Sequence, residues 1–116
     1  MAYDEQLADR IRDILAGEDG VTERKMFGGI AYLVNGNMAC GIVRDDLMLR
    51  LGAEAADEAL DRPHVRQMDF TGRPMTGMVY VGPEGVRGVA LRNWVGRAVA
   101  FARSLPPKQP KPAKGP

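Results

Sequence analysis

The dipeptide Asn35-Gly36 separates two apolar segments, residues 30–34 and 38–43. Asn-Gly is the preferred pair for a type I′ turn, because both central residues of that turn need a positive φ. The sequence therefore predicts a β-hairpin with a two-residue loop. In that register Leu33 faces Met38 and Ala31 faces Cys40. Because strand side chains alternate between faces, the register also decides which residues meet the core.

A third strand follows a second turn, which we place at Asp45-Asp46, and carries leucine at every second position. In that register Leu49 lies beside Ile42, and Leu51 lies beside Cys40. The hairpin and this strand predict one core face of the sheet: Ala31, Leu33, Met38, Cys40, Ile42, Leu47, Leu49 and Leu51. The other face would then hold Ile30, Tyr32, Val34, Asn37, Ala39, Val43, Met48 and Arg50. That second face is more apolar than an open antiparallel face usually is.

The remaining elements follow from helical periodicity and from glycine and proline breaks. Helices are predicted over residues 4–16, with Asp4 as the N-cap, over 53–60, and from a start between 85 and 89 to residue 105. Further strands are predicted over 65–70 and 78–81, with a turn at 71–74. The predicted fold is α+β, in the order α-β-β-β-α-β-β-α, with helices packed on one face of a mostly antiparallel sheet of about five strands. We expect a single domain over residues 1–105 and a disordered Pro/Lys-rich tail over 106–116.

The net charge of +1 hides an asymmetry between the two halves of the chain. Residues 1–61 carry six basic and thirteen acidic residues, a net charge of −7, whereas residues 62–116 carry ten basic and two acidic residues, a net charge of +8. Such asymmetry can indicate nucleic-acid or membrane contact. The interpretation that we favour for the folded body is that the two halves pack together and their charges are neighbours.

Two basic segments bear on nucleic-acid binding. The arginines of the last helix, at 87, 92, 97 and 103, are spread around the helix and form no single stripe. Lys108, Lys111 and Lys114 recur every third residue, so an extended polyproline conformation would align them on one side. Three lysines give a weak, salt-sensitive attraction to phosphate.

The sequence offers no constellation typical of catalysis or of a cofactor site. Cys40 lies on the predicted core face, and the single histidine, His64, lies in a loop, so we expect no cysteine–histidine pair. One Cys and one His cannot form a structural zinc site, and Asp45-Asp46 is typical of an exposed turn. Gly28-Gly29 lacks the spacing of a phosphate-binding loop and indicates a bend, a bulge or close packing. We therefore expect no enzymatic activity and no cofactor.

The second sheet face is the predicted interaction surface, and its candidate residues are Tyr32, Val34, Met48 and Arg50. An exposed apolar patch often marks a partner surface, so we expect contact with another protein or with a second copy of the chain. The alternative is a nucleic-acid-associated accessory protein that uses the basic C-terminal half. A single cysteine, a polar N-terminus and no apolar run of about 20 residues favour the cytoplasm.

Several blocks of sequence resemble one family. Lys25-Met26-Phe27-Gly28-Gly29 precedes the Asn35-Gly36 hairpin, Gly72-Arg73-Pro74-Met75 precedes an apolar strand, and Leu91-Arg92-Asn93-Trp94-Val95 leads to Leu105-Pro106-Pro107. Together, over about residues 3–107, they resemble the N-terminal domain of the TfoX/Sxy competence regulators. The resemblance implies the element order given above.

The resemblance also bears on function. It implies a link to the transcriptional control of DNA uptake, with the cyclic-AMP receptor protein as a partner in the best-known members. Those members carry a second, helical domain where this chain has its Pro/Lys tail, so we expect a stand-alone N-terminal domain. No catalytic residues carry over from the family.

The motif residues themselves are interpreted as structural: Met26, Phe27, Gly28, Gly29, Arg73, Pro74 and Met75. For the segment from Arg73 to Gly77 two interpretations stay open. It forms a structural crossing between strands, which we favour, or it holds Arg73 rigidly for an anion or a partner.

Overall fold

The computed structural model describes residues 3–26, 28–70 and 73–107. Three helices and six strands occur in them, and a 3-10 turn at Pro83–Val86 precedes the last helix. The elements are α1 (Glu5–Leu15), β1 (Val21–Met26), β2 (Gly29–Val34), β3 (Asn37–Val43), β4 (Asp46–Arg50), α2 (Ala53–Ala59), β5 (Val65–Phe70), β6 (Arg73–Val81) and α3 (Val89–Ser104). The strands form one antiparallel sheet in the order β1-β2-β3-β4-β6-β5. The predicted α+β class is confirmed.

The sheet has one strand more than predicted. Residues 21–26, Val-Thr-Glu-Arg-Lys-Met, show no apolar alternation, yet they pair with β2 as β1. An edge strand needs a partner on one side only and is commonly charged, so hydrophobic patterning does not reveal it. The predicted turn at 71–74 is also wrong in part, because β6 already begins at Arg73 and pairs with β5.

The Asn35-Gly36 turn forms as predicted, but the register changes beyond it. Both turn residues have positive φ, at 53° and 84°, and Leu33 lies opposite Met38. The next pair, however, is Tyr32 with Cys40, so β3 contains one extra, unpaired residue, Ala39. A bulge of this kind moves every following side chain of one strand to the opposite face relative to its partner.

The bulge exchanges the predicted faces of β2. Residues 30, 32 and 34 face the helices, whereas Ala31 and Leu33 lie on the other side with Met38. The assignment of Ala31, Leu33 and Met38 to the core face is therefore wrong. Asn37 and Ala39, predicted for the second face, also lie on the helix side: the Asn37 amide donates to the Pro106 carbonyl at 2.9 Å, and Ala39 joins the core.

The second turn falls one residue earlier than predicted. Val43 pairs with Asp46, so the turn residues are Arg44 and Asp45, and Arg44 has a φ of 56°. Leu47 consequently lies opposite Ile42, and Leu49 lies opposite Cys40. This register differs from the predicted one by two residues, which preserves the face, and both leucines point into the core as expected.

All three helices pack on the same side of the sheet, as predicted. Each contributes to one buried cluster: Leu7, Ile11 and Leu15 from α1, Ala56 and Ala59 from α2, and Leu91, Trp94, Val95, Ala98, Val99 and Ala102 from α3. α1 begins where expected, because the Asp4 carboxylate accepts hydrogen bonds from the backbone N–H groups of Gln6 and Leu7. The helix layer therefore defines the inner face of the sheet.

The charged halves of the chain are neighbours in space, in agreement with the interpretation that we favoured. Arg66 pairs with Asp46 at 2.6 Å, and Arg103 pairs with Glu18 at 2.8 Å, so both bridges join the basic half to the acidic half. Exposed pairs of this kind contribute at most about 1 kcal/mol each.

Gly29 and Gly96 form a matched test of this packing. A Cβ on Gly29 would run into the backbone carbonyl oxygen of Ile42, whereas a Cβ on Gly96, in α3, meets nothing within 4 Å. We expect Gly29→Ala to lower the free energy of unfolding by about 1–3 kcal/mol, since β2 and β3 must move apart. Gly96→Ala should raise it by up to about 1 kcal/mol. Urea unfolding followed by circular dichroism measures both, and equal effects would contradict the strand register.

Candidate functional site

Two of the four predicted interaction residues are not at a surface. Tyr32 is 1% exposed and Val34 is fully buried, both in the core cluster beneath the helices. The Tyr32 hydroxyl donates a hydrogen bond to the Ala8 carbonyl of α1 at 3.2 Å, and burial raises its pKa. The prediction that these residues form an open face is wrong, because the bulge at Ala39 turns them toward the helix layer.

Met48, the third predicted residue, lies on the face of the sheet away from the helices. Met48, Met68 and Met78 form a second buried cluster there, with Met38, Val43 and Tyr80 half-buried against it. We call these six residues the methionine face. Among the described residues, no helical side chain belongs to this cluster.

Gly41 of β3 makes room for the centre of the methionine face. A Cβ at Gly41 would lie 2.6 Å from the terminal methyl group of Met48, so that side chain extends across the bare backbone of β3. At the border, the Arg66 guanidinium lies 4.8 Å from the centre of the Tyr80 ring and pairs with Asp46. The face thus has an apolar centre and a charged edge.

Arg50, the fourth predicted residue, reaches away from this face. In the strand register it pairs with Met78, but its guanidinium carbon lies 5.7 Å from the centre of the Phe101 ring of α3. Gly52 leaves space for that ring, because a Cβ there would lie 2.7 Å from a ring carbon of Phe101. Arg50 therefore links the end of β4 to α3.

The glycines of the family-like motif have a backbone explanation. Gly28 has a φ of 75°, and Gly29 allows β2 to approach the Ile42 carbonyl of β3. Phe27 and the tail lysines Lys108, Lys111 and Lys114 lie outside the described residues. The side chains of Met26, Arg73, Pro74 and Met75 lie outside the description too, although these residues belong to β1 and β6. The roles assigned to all of these stay predictions.

Cys40 and His64 occupy unrelated environments. The Cys40 thiol is fully buried in the core, and burial raises its pKa to about 12. A thiol in that state is neither a thiolate nor accessible to a substrate at neutral pH. His64 is exposed in the loop before β5, where its Nδ1 lies 4.0 Å from the Glu84 carboxylate.

An open groove on the outer surface of α3 is lined by three arginines, two of which lie over the only tryptophan of the chain. It has a volume of about 680 Å³ and is lined by Arg62, Ala90, Arg92, Asn93, Trp94, Gly96, Arg97 and Ala100. We call it the arginine groove. The guanidinium carbons of Arg62 and Arg97 lie 5.7 Å and 5.6 Å from the centre of the Trp94 ring.

Sequence reasoning missed the arginine groove. The spacing of Trp94 and Arg97 places them on adjacent turns of α3, and this signal was available. Arg62, however, comes from the turn after α2, and only the tertiary fold brings it beside Trp94. The arginines of α3 taken alone are spread around the helix, so the sequence did not indicate that two of them line one groove with Arg62.

Within residues 3–26, 28–70 and 73–107, no group of three or more His, Cys, Asp or Glu side chains has a metal-binding arrangement. None of the helices in those ranges is long and apolar enough to cross a membrane.

Comparison with known proteins identifies one family. The family model of the TfoX N-terminal domain matches residues 13–102 of the 116-residue chain, from the last turn of α1 almost to the end of α3. No curated protein and no solved structure matches the chain significantly.

Cys40 offers a direct test of the closed core. We expect its thiol not to react with an aromatic disulfide reagent at pH 8 in the folded chain and to react fully in denaturant, since burial keeps it protonated and shielded. The control is Val89→Cys, because Val89 is 75% exposed. In that variant one thiol should react at once and the other only on unfolding. Equal rates for the two thiols would contradict the buried position of Cys40.

Proposed function

This chain belongs to the TfoX N-terminal domain family, and we propose that it is a non-enzymatic regulatory module that works by binding another protein through its methionine face. The family is associated with competence regulation, which motivates the regulatory part of the proposal. The observation that carries the binding part is the helix-free, methionine-lined side of the sheet.

The composition of this face suits protein binding. Four of its six residues are methionines: Met48, Met68 and Met78 form a buried layer, and Met38 is partly accessible against them with Val43 and Tyr80. Methionine side chains are flexible and polarizable, and they adapt to partners of differing shape. A sheet face lined by them can therefore fit an apolar segment of another protein without rearrangement of the backbone.

The border of the face supports the same interpretation. Interfaces typically combine an apolar centre with a polar rim. Here Arg66 stacks on Tyr80 and pairs with Asp46, so the charged rim adjoins the apolar residues directly. In a complex, this rim would restrict the orientation of the partner. The partly accessible Met38, Val43 and Tyr80 would supply the apolar area that becomes buried, because Met48, Met68 and Met78 are each only 6% exposed in the chain itself.

We propose a cytoplasmic component of the transcription machinery as the partner class, on the strength of the family association. A second copy of the chain is the other occupant that the same apolar chemistry would accept. The two are distinguished by the mass of the purified protein, because only self-association changes it in the absence of other proteins.

Met38→Glu tests the proposed surface. Its side chain is half-buried at the edge of the methionine face, so a carboxylate there should leave the fold intact but oppose the burial of that face in a complex. We expect the variant to lose most of the partner retained by the wild-type chain in a pull-down, or to become monomeric if the wild type is dimeric by light scattering.

Val89→Glu is the matched control, since it places the same carboxylate on the helix side of the molecule, at a residue that is 75% exposed. It should retain wild-type binding and mass. If both variants behave like the wild type, or if the wild type is monomeric and retains no partner, the methionine face is not the interaction surface. Melting temperatures of both variants identify any loss of folding.

A further inference from the structure

The arginines of the described residues differ in their partners: three form ion pairs with carboxylates, and the three that line the arginine groove do not. Arg12, Arg66 and Arg103 each pair with a carboxylate at 2.6–2.9 Å. In the part of the chain that the structure describes, Arg62, Arg92 and Arg97 form no hydrogen bond and no ion pair. These three are the ones that line the arginine groove, and none of the eight lining residues is acidic.

Trp94 orders two of the three guanidinium groups. Its side chain is only 7% exposed and packs in the core, so the ring has a fixed position. Arg62 approaches it from the turn after α2, and Arg97 approaches from the next turn of α3. A guanidinium that stacks on an aromatic ring uses its face, so its N–H donors stay available at the edge.

The shape of the groove leaves these donors accessible. Gly96 and Ala100 are exposed small residues on the outer side of α3, and no atom lies within 4 Å of a Cβ placed on Gly96. Arg92 and Arg97 flank Gly96 on the helix surface, because positions 92 and 97 lie on opposite sides of position 96 in an α-helical projection. The floor of the groove therefore consists of small side chains, and the guanidinium groups of Arg92 and Arg97 border it.

Three guanidinium groups that form no ion pair line one groove, and an anion in the groove would interact favourably with each of them. Guanidinium groups match the oxygens of phosphate and carboxylate by paired hydrogen bonds. We propose that the arginine groove binds a small ligand that carries a phosphate or diphosphate group. Phosphate is favoured over a single carboxylate, because it has more acceptor oxygens and more charge for three guanidinium groups.

The observations favour a small ligand over a nucleic acid. The groove volume of about 680 Å³ lies within the range of small-molecule sites. Single-stranded nucleic acids are usually bound by exposed aromatic rings on which bases stack, and Trp94 is almost fully buried. The cations also gather around one ring and do not follow a path along the surface. This inference is independent of the methionine face and of the function proposed for it.

Trp94 supplies the measurement. It is the only tryptophan, so its fluorescence reports on the groove alone. We expect inorganic pyrophosphate to change the emission of the full chain in a saturable manner at low salt, because a bound anion changes the charge and the mobility of the two guanidinium groups stacked on the ring. Calorimetry with the same ligand gives the affinity independently of the fluorescence.

Paired variants separate the groove from general charge. Arg62→Gln with Arg97→Gln should weaken pyrophosphate binding about tenfold or more, since charge-assisted hydrogen bonds are lost. Arg24→Gln with Lys25→Gln makes the same change in net charge on exposed positions of β1, and it should leave the affinity nearly unchanged. Gly96→Glu places a carboxylate in open space within the groove and should abolish binding while it leaves the arginines in place.

Three results with pyrophosphate would overturn the proposal: no saturable binding to the wild type, equal losses in the two double variants, or unchanged binding in Gly96→Glu. A fourth is binding of a DNA duplex that depends on Arg62 and Arg97 when pyrophosphate does not bind. The last result would make the groove a nucleic-acid surface. Melting curves of every variant distinguish a loss of pyrophosphate affinity from a loss of folding. Arg97→Lys retains the positive charge but lacks the planar guanidinium group, so it should bind pyrophosphate with intermediate affinity.

Discussion

The one-residue bulge between β2 and β3 determines the organisation of the molecule. Without Ala39 as an unpaired residue, Tyr32 would lie on the open side of the sheet and Ala31 would face the helices. The bulge instead aligns Ile30 and Tyr32 with Ile42 and Cys40, and these residues form the inner face together with Leu47 and Leu49. The buried Tyr32 ring, whose hydroxyl donates a hydrogen bond to α1, thus fills a position in the core that Ala31 is too small to fill.

Much of the fold follows from local sequence. The Asn35-Gly36 turn, the Asp4 cap and the apolar spacing of α3 are each set by interactions within a few residues, and all three form as predicted. The bulge does not follow, because both registers satisfy the turn and both place apolar residues on each face. The choice between them depends on whether Tyr32 or Leu33 fits better beneath α1, which is a property of the assembled core.

Less of the candidate sites could be predicted, because their positions also depend on strand registers and contacts that only the assembled core determines. Met48 was placed on the correct face because the register error of β4 was two residues, an even number that preserves side-chain direction. Tyr32 and Val34 were misplaced because the error of β2 was one residue. The arginine groove combines α3 with the turn after α2, so no spacing along the chain indicates it.

Both candidate surfaces are backed by the same core. α3 points Trp94 and Val95 inward and exposes Arg92 and Arg97, whereas β4 points its leucines inward and places Met48 on the opposite side. The inner residues therefore fix the position of the outer ones. A substitution at an inner residue such as Tyr32 would disturb both surfaces at once and could not assign a function to either. Substitutions at half-buried or exposed residues leave the core in place, and only these can separate binding at the methionine face from binding at the arginine groove.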